Sequence, residues 1–259
     1  MEVIREQPVI SVQDVSMHFQ VPLERSDSLK EYLIRTVKRQ NPCRILKALD
    51  HVSFDVWPKE VVGIVGTNGS GKSTLLKIIS GAIPPTRGRV VARKEDIRLL
   101  TLGTGFDREL TARENVYLNG ALLGYSREEL RKKYREIVEF AELEGFMDQK
   151  IKNFSSGMVS RLGFSIATAR SSCQVLILDE VLSVGDAFFR EKSDQRIRSM
   201  IHGGAAVLIV SHSVSAILQN CSRVLWLEKG ILRMDGEPRR VCDAYLEYGR
   251  EKRKKGDHS

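Results

Sequence analysis

Three short stretches of the chain are apolar at nearly every position: residues 61–65, 175–178 and 207–210. This pattern is typical of strands that are buried on both faces of a parallel sheet. Residues 9–15 and 48–56 mix apolar with polar positions instead, which predicts strands with one buried face. The chain therefore carries the strands of an α/β domain with a parallel core sheet.

The middle of the chain has the periodicity of helices. Residues 126–129 (Ser-Arg-Glu-Glu) form a capping box, and the apolar residues of 130–141 then recur about every 3.6 positions. We expect Gly145 to end this helix, because glycine readily takes the left-handed conformation that closes helices. The stretch from Thr111 to about residue 169 is predicted to be a helical lobe inserted in the α/β domain.

Shorter segments complete the predicted architecture. Residues 90–92 and 97–102 have the character of short strands, and their pairing around the first buried strand predicts a small antiparallel β lobe. Two apolar segments between residues 224 and 234 predict a hairpin. A further helix is expected over residues 238–245.

A glycine-rich segment, residues 66–73 (GTNGSGKS), joins the first buried strand to a predicted helix that begins near Gly71. Its G-x-x-x-x-G-K-S spacing is that of the phosphate-binding P-loop. Glycines let the backbone bend around a phosphate, while N–H groups and the positive end of the helix face the anion. We expect Lys72 at the β- and γ-phosphates and Ser73 on Mg²⁺. The predicted phosphate-binding residues are Gly66, Thr67, Asn68, Gly69, Ser70, Gly71, Lys72, Ser73 and Thr74.

Candidate catalytic residues follow the second and third buried strands, at the edge where open α/β sheets bind ligands. We expect Asp179 to hold Mg²⁺ through water and Glu180 to orient and deprotonate the attacking water. The alternative for this pair is a solvated acidic loop. His212 is a candidate for contacting the γ-phosphate, although many such histidines only satisfy local hydrogen bonds. Together with the P-loop, these residues predict a Mg²⁺-dependent nucleoside triphosphatase.

Two features near the N-terminus leave alternatives open. Phe19 comes shortly after the first predicted strand, and its ring is either stacked on adenine or part of the core at a strand end. Residues 20–44 predict a short basic amphipathic helix with a capping box at 28–31 and a stop at Asn41-Pro42. Such a helix suits a membrane surface or a docking groove on a partner, or it packs on its own domain as an ordinary surface helix.

The charge balance adds one constraint. The 259 residues include 41 Lys and Arg against 33 Asp and Glu, a net charge of +8, which favours an anionic partner such as a nucleotide, a nucleic acid or an acidic lipid surface. Residues 250–259 are strongly basic and are predicted to form a disordered tail, with weak attraction to anionic lipid as the alternative. We expect no membrane span and no secretory signal, and the four scattered cysteines predict neither disulfides nor a zinc site.

The segment Phe154-Ser155-Ser156-Gly157-Met158 precedes a predicted helix and resembles the signature motif of ABC ATPases, whose usual form is L-S-G-G-Q. The order of P-loop, helical lobe, signature, acidic strand and His212 resembles that family over nearly the whole chain. The resemblance implies an α/β P-loop NTPase fold over residues 1–249, with a parallel core sheet, a small antiparallel β lobe and an inserted helical lobe.

In that family two nucleotide-binding domains pair head to tail, with ATP between the P-loop of one and the signature of the other. The resemblance implies that this chain pairs with a second copy of itself and that Phe19 takes the adenine-stacking position. It also implies that residues 183–186 form the D-loop, which couples the two sites. The signature residues implied to contact ATP are Ser155, Ser156, Gly157 and Met158.

Two departures from the common pattern narrow the resemblance. The signature reads F-S-S-G-M, and residues 102–115 lack the glutamine of the usual Q-loop. In both respects, and over residues 154–164 and 179–189, the chain resembles ATP-binding subunits of exporters for O-antigen, capsular polysaccharide and teichoic acid. This implies a bacterial subunit, peripheral on the cytoplasmic face of the inner membrane, that powers export of a lipid-linked glycan through a polytopic permease. The 20–44 helix would then lie near the permease entrance.

Two other functions remain as alternatives. One is a non-transport ABC ATPase that acts on nucleic acid or ribosomes, although such proteins usually carry a long coiled-coil insert or two nucleotide domains. We therefore expect no nucleic-acid partner. The other is a regulatory subunit that binds nucleotide without hydrolysis, against which Glu180 argues because the general base is in place.

Overall fold

The computed structural model describes residues 7–22, 43–93, 97–100, 105–169, 174–179, 187–211 and 213–256. Within these ranges the chain forms two sheets, flanking helices and a helical lobe. The strands are β1 (Ile10–Pro22), β2 (Cys43–Val56), β3 (Val61–Val65), β4 (Arg87–Ala92), β5 (Ile97–Leu100), β6 (Val175–Asp179), β7 (Ala206–Val210), β8 (Arg223–Glu228) and β9 (Ile231–Gly236). The helices are α1 (Lys72–Ile79), α2 (Ala112–Leu122), α3 (Arg127–Ala141), α4 (Ser156–Thr168), α5 (Ala187–Ile201), α6 (Val214–Asn220) and α7 (Pro238–Gly256), with a 3₁₀ turn at Ile151–Asn153.

The larger sheet has the strand order β5-β6-β7-β3-β8-β9 and is parallel except for β9, which pairs antiparallel with β8. The three apolar stretches of the sequence are its strands β3, β6 and β7. One hydrophobic cluster lies between this sheet, α1 and the β lobe, and another lies on the opposite face against α4, α5, α6 and α7. Burial on both faces explains why these strands are apolar at nearly every position. The predicted β8–β9 hairpin is confirmed.

The smaller sheet has the order β2-β1-β4 and is antiparallel. It is built around β1, where Ile10 pairs with Ala92, and not around β3. The prediction that residues 97–102 belong to this β lobe is wrong, because β5 lies at the edge of the parallel sheet beside β6. A four-residue strand such as β5 carries no signal of which sheet it joins.

Strands β1 and β2 are longer than their sequence pattern indicates. The pair continues outward through Phe19–Leu46 to Pro22–Cys43. The predicted insert at 20–44 is therefore wrong at its ends, since residues 20–22 and 43–44 are paired strand. The predicted amphipathic helix lies within 23–42, outside the described residues.

The helical lobe begins at Thr111 as predicted. Thr111 and Glu114 cap α2 reciprocally, and Ser126 and Glu129 form the predicted capping box of α3. The prediction that Gly145 ends α3 is wrong: the helix ends at Ala141, and Glu142 takes the left-handed conformation with φ 58°. The buried Leu143 follows at once, so the chain turns back into the lobe core there.

The lobe meets the core domain at a junction of three aromatic rings. Phe140 of α3, Phe164 of α4 and Phe189 of α5 have ring centroids 5.7 to 5.9 Å apart. Lys192 Nζ donates hydrogen bonds to the Phe140 carbonyl and to Glu142, each at 3.1 Å. We call these residues, together with the ion pair of Glu136 with Arg196, the lobe–core junction.

Helix α7 extends through Gly256. The prediction of a disordered tail from residue 250 is therefore wrong as far as 256. Among the described residues, none of the helices is both long enough and apolar enough to span a bilayer.

Candidate nucleotide-binding site

The loop between β3 and α1 follows a path that depends on glycine at two points. Gly66 has φ 156°, and a Cβ there would lie 2.2 Å from the carbonyl oxygen of Leu227 in β8. Gly71 has φ 105°, and a Cβ there would lie 2.5 Å from the carbonyl oxygen of Ala48 in β2. Any other residue at these positions would clash with backbone that cannot move independently. The loop is therefore held tightly against both sheets.

Hydrogen bonds close the loop on itself. The N–H of Ser70 donates to the carbonyl of Thr67 at 3.1 Å. The ammonium of Lys72, a residue only 7% exposed, donates to the carbonyl oxygens of Gly66 at 2.7 Å and Thr67 at 3.1 Å. The structure therefore places the predicted phosphate-binding lysine across the loop.

The start of α1 suits an anion. Its N-cap, Gly71, has no side chain to accept from the first helical N–H groups, and the first turn contains no acidic residue. In the part of the chain that the structure describes, the buried hydroxyl oxygen of Ser70 has no hydrogen-bond partner. A helix N-terminus without a side-chain cap and an unpaired buried hydroxyl among the described residues fit a phosphate group as the missing partner.

A cavity of about 300 Å³ opens beside this loop. The loop and the start of α1 line one side of it, and strands β1 and β2 line the other. Phe19 lies in β1 opposite Leu46 of β2 and is 36% exposed, so its ring belongs to the cavity wall and not to the core. The lining residues are Phe19, Leu46, Lys47, Ala48, Asn68, Gly69, Ser70, Gly71, Lys72, Ser73, Thr74 and Val210.

Three residues of this wall were missed by sequence reasoning: Leu46, Lys47 and Ala48. Strand β2 begins at Cys43, five residues before the predicted start. Ile45 and Leu46 are both exposed, which breaks the alternation that marks a half-buried strand. The sequence signal that was available is the apolar character of Leu46, which the structure places opposite Phe19.

The carboxyl ends of three strands meet beside the P-loop. Asp179, the last residue of β6, pairs in register with Val210 of β7, which in turn pairs with Ile64 of β3. Asp179 therefore lies at the sheet edge where the sequence places it. Its side chain lies outside the described part of the chain, as do Glu180, residues 183–186, residues 101–104 and His212.

The predicted signature forms the start of α4 on the helical lobe. Ser155 is the N-cap, and its hydroxyl oxygen accepts from the N–H of Met158 at 3.2 Å. Among the described residues, a Cβ on Gly157 would meet only the Ser155 hydroxyl, at 3.8 Å. Ser156 is exposed. Among the described residues that line the P-loop cavity, none belongs to 155–158, so the two predicted ATP-contacting surfaces do not share a cavity within one copy.

Sequence comparison connects this geometry to known proteins. A family profile described as ABC transporter matches residues 49–183. The chain is 43% identical over 198 residues to the O-antigen export system ATP-binding protein RfbB of Klebsiella pneumoniae, covering 76% of this chain and 80% of that protein. It is 38% identical over 240 residues to the teichoic acids export ATP-binding protein TagH of Listeria innocua, covering 92% and 70%.

Solved structures share the fold. An ATP-binding subunit of an ABC transporter has a TM-score of 0.67 at 20% identity and covers 93% of each chain. A dimeric ATP-binding cassette in a post-hydrolysis state, bound to ADP and Pi, has a TM-score of 0.66 at 24% identity and covers 88% of this chain and 98% of its own. The P-loop geometry, the matched profile and the similar relatives agree: the chain is an ABC ATPase and belongs to the ABC transporter family.

Proposed function

We propose that this chain hydrolyses ATP to power export of a lipid-linked polysaccharide through a separate membrane permease. The observation that carries the proposal is the combination of a P-loop shaped for phosphate with 43% identity to an O-antigen export system ATP-binding protein. The similarity to a teichoic acids export protein extends over 92% of the chain. One relative is named for O-antigen export and the other for teichoic acids export, which supports a polysaccharide cargo here.

In this proposal the P-loop binds the phosphates of ATP. Backbone N–H groups of residues 66–74 and the positive end of α1 face the anion. Lys72 leaves its two carbonyl partners to meet the β- and γ-phosphates, and Phe19 contacts the adenine ring from across the cavity. The cavity between β1 and the loop supports this assignment, because an aromatic ring and a phosphate-binding loop line the same space.

The residues present also fit Mg²⁺. Ser73 is exposed and lines the cavity, and Asp179 is the last residue of β6 at the same edge of the sheet. Hydroxyl and carboxylate oxygens are the ligands that Mg²⁺ prefers. When bound, the ion supplies positive charge that stabilises the charge developing on the phosphates. Ser73 would hold it directly and Asp179 through water.

We assign the attacking water to Glu180, which would orient it and accept its proton, and the γ-phosphate contact to His212. Both follow strands whose carboxyl ends meet beside the P-loop, namely β6 and β7. Chain position and strand order support these roles.

We further propose that two copies pair so that Ser155, Ser156, Gly157 and Met158 of one contact ATP on the P-loop of the other. Gly157 supports this. Glycine inside a helix costs about 1 kcal/mol relative to alanine, and none of the described residues of this copy crowds a Cβ there. The close approach of ATP bound to the other copy would explain why this position is a glycine. Catalysis then requires closure of the pair, because neither copy owns a complete site.

The permease assignment makes the protein peripheral on the cytoplasmic face of the inner membrane, with residues 23–42 near the permease entrance. The test is detergent extraction of native membranes, affinity purification of this chain, and mass spectrometry of what accompanies it. We expect a polytopic protein encoded beside glycan-assembly enzymes. A preparation that carries RNA or DNA and no membrane protein would overturn the export proposal in favour of a nucleic-acid function.

A further inference from the structure

The turn between β8 and β9 lies directly under the phosphate-binding loop. The N–H of Gly230 donates to the carbonyl of Ser70 at 3.0 Å. The hydroxyl of Thr67, inside the loop, donates to Glu228 Oε2 at 3.0 Å. Glu228 is only 1% exposed, so this is a buried carboxylate bonded to the P-loop itself. None of the roles proposed above uses it.

The other oxygen of Glu228 is bound by the C-terminal helix. Glu228 Oε1 accepts from the hydroxyl of Tyr248 at 3.2 Å and from Lys252 Nζ at 3.0 Å. Helix α7 is fixed at this point by its aromatic contacts, since the ring centroid of Trp226 lies 5.9 Å from Tyr245 and 5.3 Å from Tyr248. One carboxylate therefore joins the P-loop to α7.

The charge of the Glu228 carboxylate matters because the P-loop, to which it is hydrogen-bonded through Thr67, must accept phosphates. Burial raises the pKa of Glu228, but the hydrogen bonds from Lys252 and Thr67 outweigh burial, and the net pKa lies below its usual value. Glu228 is therefore ionised. A buried negative charge beside an anion site repels the anion unless a cation balances it, and Lys252 is the cation in contact.

We infer that helix α7 sets the ATP affinity of the P-loop through Glu228. Glu228 positions Thr67 through its hydrogen bond, and Lys252 neutralises Glu228 so that the loop can accept phosphate. Both are positioning residues. The inference rests on the proposal that the P-loop binds ATP, and it adds that a helix outside the cavity determines how well the loop does so.

The test measures ATP affinity of the full chain by isothermal titration calorimetry in EDTA, where hydrolysis does not interfere, alongside thermal unfolding without nucleotide. Lys252→Met leaves Glu228 charged and unbalanced and is expected to weaken ATP binding about tenfold. Arg250→Met is the matched control, because Arg250 is an exposed cation on the same helix and its loss changes the net charge equally. It is expected to leave affinity within about twofold.

A double variant separates charge balance from simple loss of structure. Glu228→Gln with Lys252→Met removes both charges and keeps the shape of the buried side chain, so affinity should recover to within about threefold of the wild type. Lys252→Arg should retain affinity because it keeps the charge.

The outcomes distinguish failure of this inference from failure of the proposed function. Equal affinities of Lys252→Met and Arg250→Met would overturn the inference, and so would a double variant that binds no better than Lys252→Met. A wild-type chain that binds no ATP at all would instead overturn the proposed function.

Discussion

The P-loop and the lobe–core junction hold their shapes by different means. In the P-loop, glycines at positions 66 and 71 bring backbone against backbone, and single added atoms would clash at 2.2 and 2.5 Å. In the junction, three phenylalanine rings and a few partly exposed ion pairs make the contact. Backbone contacts tolerate almost no change, whereas side-chain contacts can be repacked. The first region depends on backbone that has no room for change, whereas the second depends on side chains that can repack.

The largest effect is expected in the P-loop, on activity. Lys72→Ala should lower ATP hydrolysis about 1,000-fold, because it removes the cation expected to stabilise charge on the transferred phosphate. Phosphate release measures this. Lys77→Ala is the control, since Lys77 is an exposed residue on the same helix, and it should keep nearly full activity. Activity of Lys72→Ala within tenfold of wild type would contradict the assigned role.

The next effect is on stability. Gly66→Ala should lower the free energy of unfolding by about 3 kcal/mol, because the new Cβ clashes with the Leu227 carbonyl and the backbone conformation is strained. Urea denaturation measures this. At Gly145 no atom of the residues that the structure describes lies within 4 Å of an added Cβ, and Gly145→Ala should change stability by less than about 0.5 kcal/mol. Similar losses for the two variants would show that the loop is not rigid.

At the junction, Phe189→Leu should cost about 1 kcal/mol of stability, because neighbouring rings can partly fill the lost volume. Phe146→Leu, an exposed change on the lobe, should cost almost nothing. ATP affinity of the Phe189 variant should stay within about twofold of wild type. A larger loss of ATP affinity would contradict the contrast between the two regions, since it would show that the junction is coupled to the P-loop.

The smallest effect comes from the ion pairs of the junction. Burial raises the pKa of Glu136, but hydrogen bonds from Lys133 and Arg196 outweigh it, so the pKa lies below the ordinary 4.5. A carboxylate with a lowered pKa stabilises the fold above its unfolded pKa and loses that contribution as pH falls. The difference in thermal stability between wild type and Glu136→Gln should therefore be largest, though small, at neutral pH, decline as pH falls below 4.5, and vanish once pH has fallen below the lowered pKa of folded Glu136. A difference that stays constant from neutral pH into acid would contradict a stabilising role of the Glu136 carboxylate.

Much of the fold follows from local patterns in the sequence. Buried strands show as apolar runs, the capping boxes mark helix starts, and the P-loop spacing locates the phosphate-binding residues. Each of these signals lies within about a dozen consecutive residues. The local pattern did not predict which sheet β5 joins, because that depends on pairing with β6, which is distant in the sequence.

Other features depend on contacts that no local pattern records. Thr67 and Glu228 are 161 positions apart, so nothing in the sequence around either residue indicates that they meet. The end of α3 was set by burial of Leu143 and not by the nearest glycine. The helical course of residues 250–256 was likewise missed, because a basic run resembles a solvated tail until Lys252 is seen beside a buried carboxylate.

The pairing of β1 with β2 has a consequence for how this protein can diversify. Pro22 and Cys43 are paired, so the two ends of the intervening segment are already side by side. The entropy of closing such a loop grows only with the logarithm of its length, and a fivefold shortening changes it by about 1.4 kcal/mol. The segment can therefore be lengthened, exchanged or reduced to a short turn while the ATPase domain folds unchanged. Related chains can acquire new partners at this position without redesigning their catalytic core.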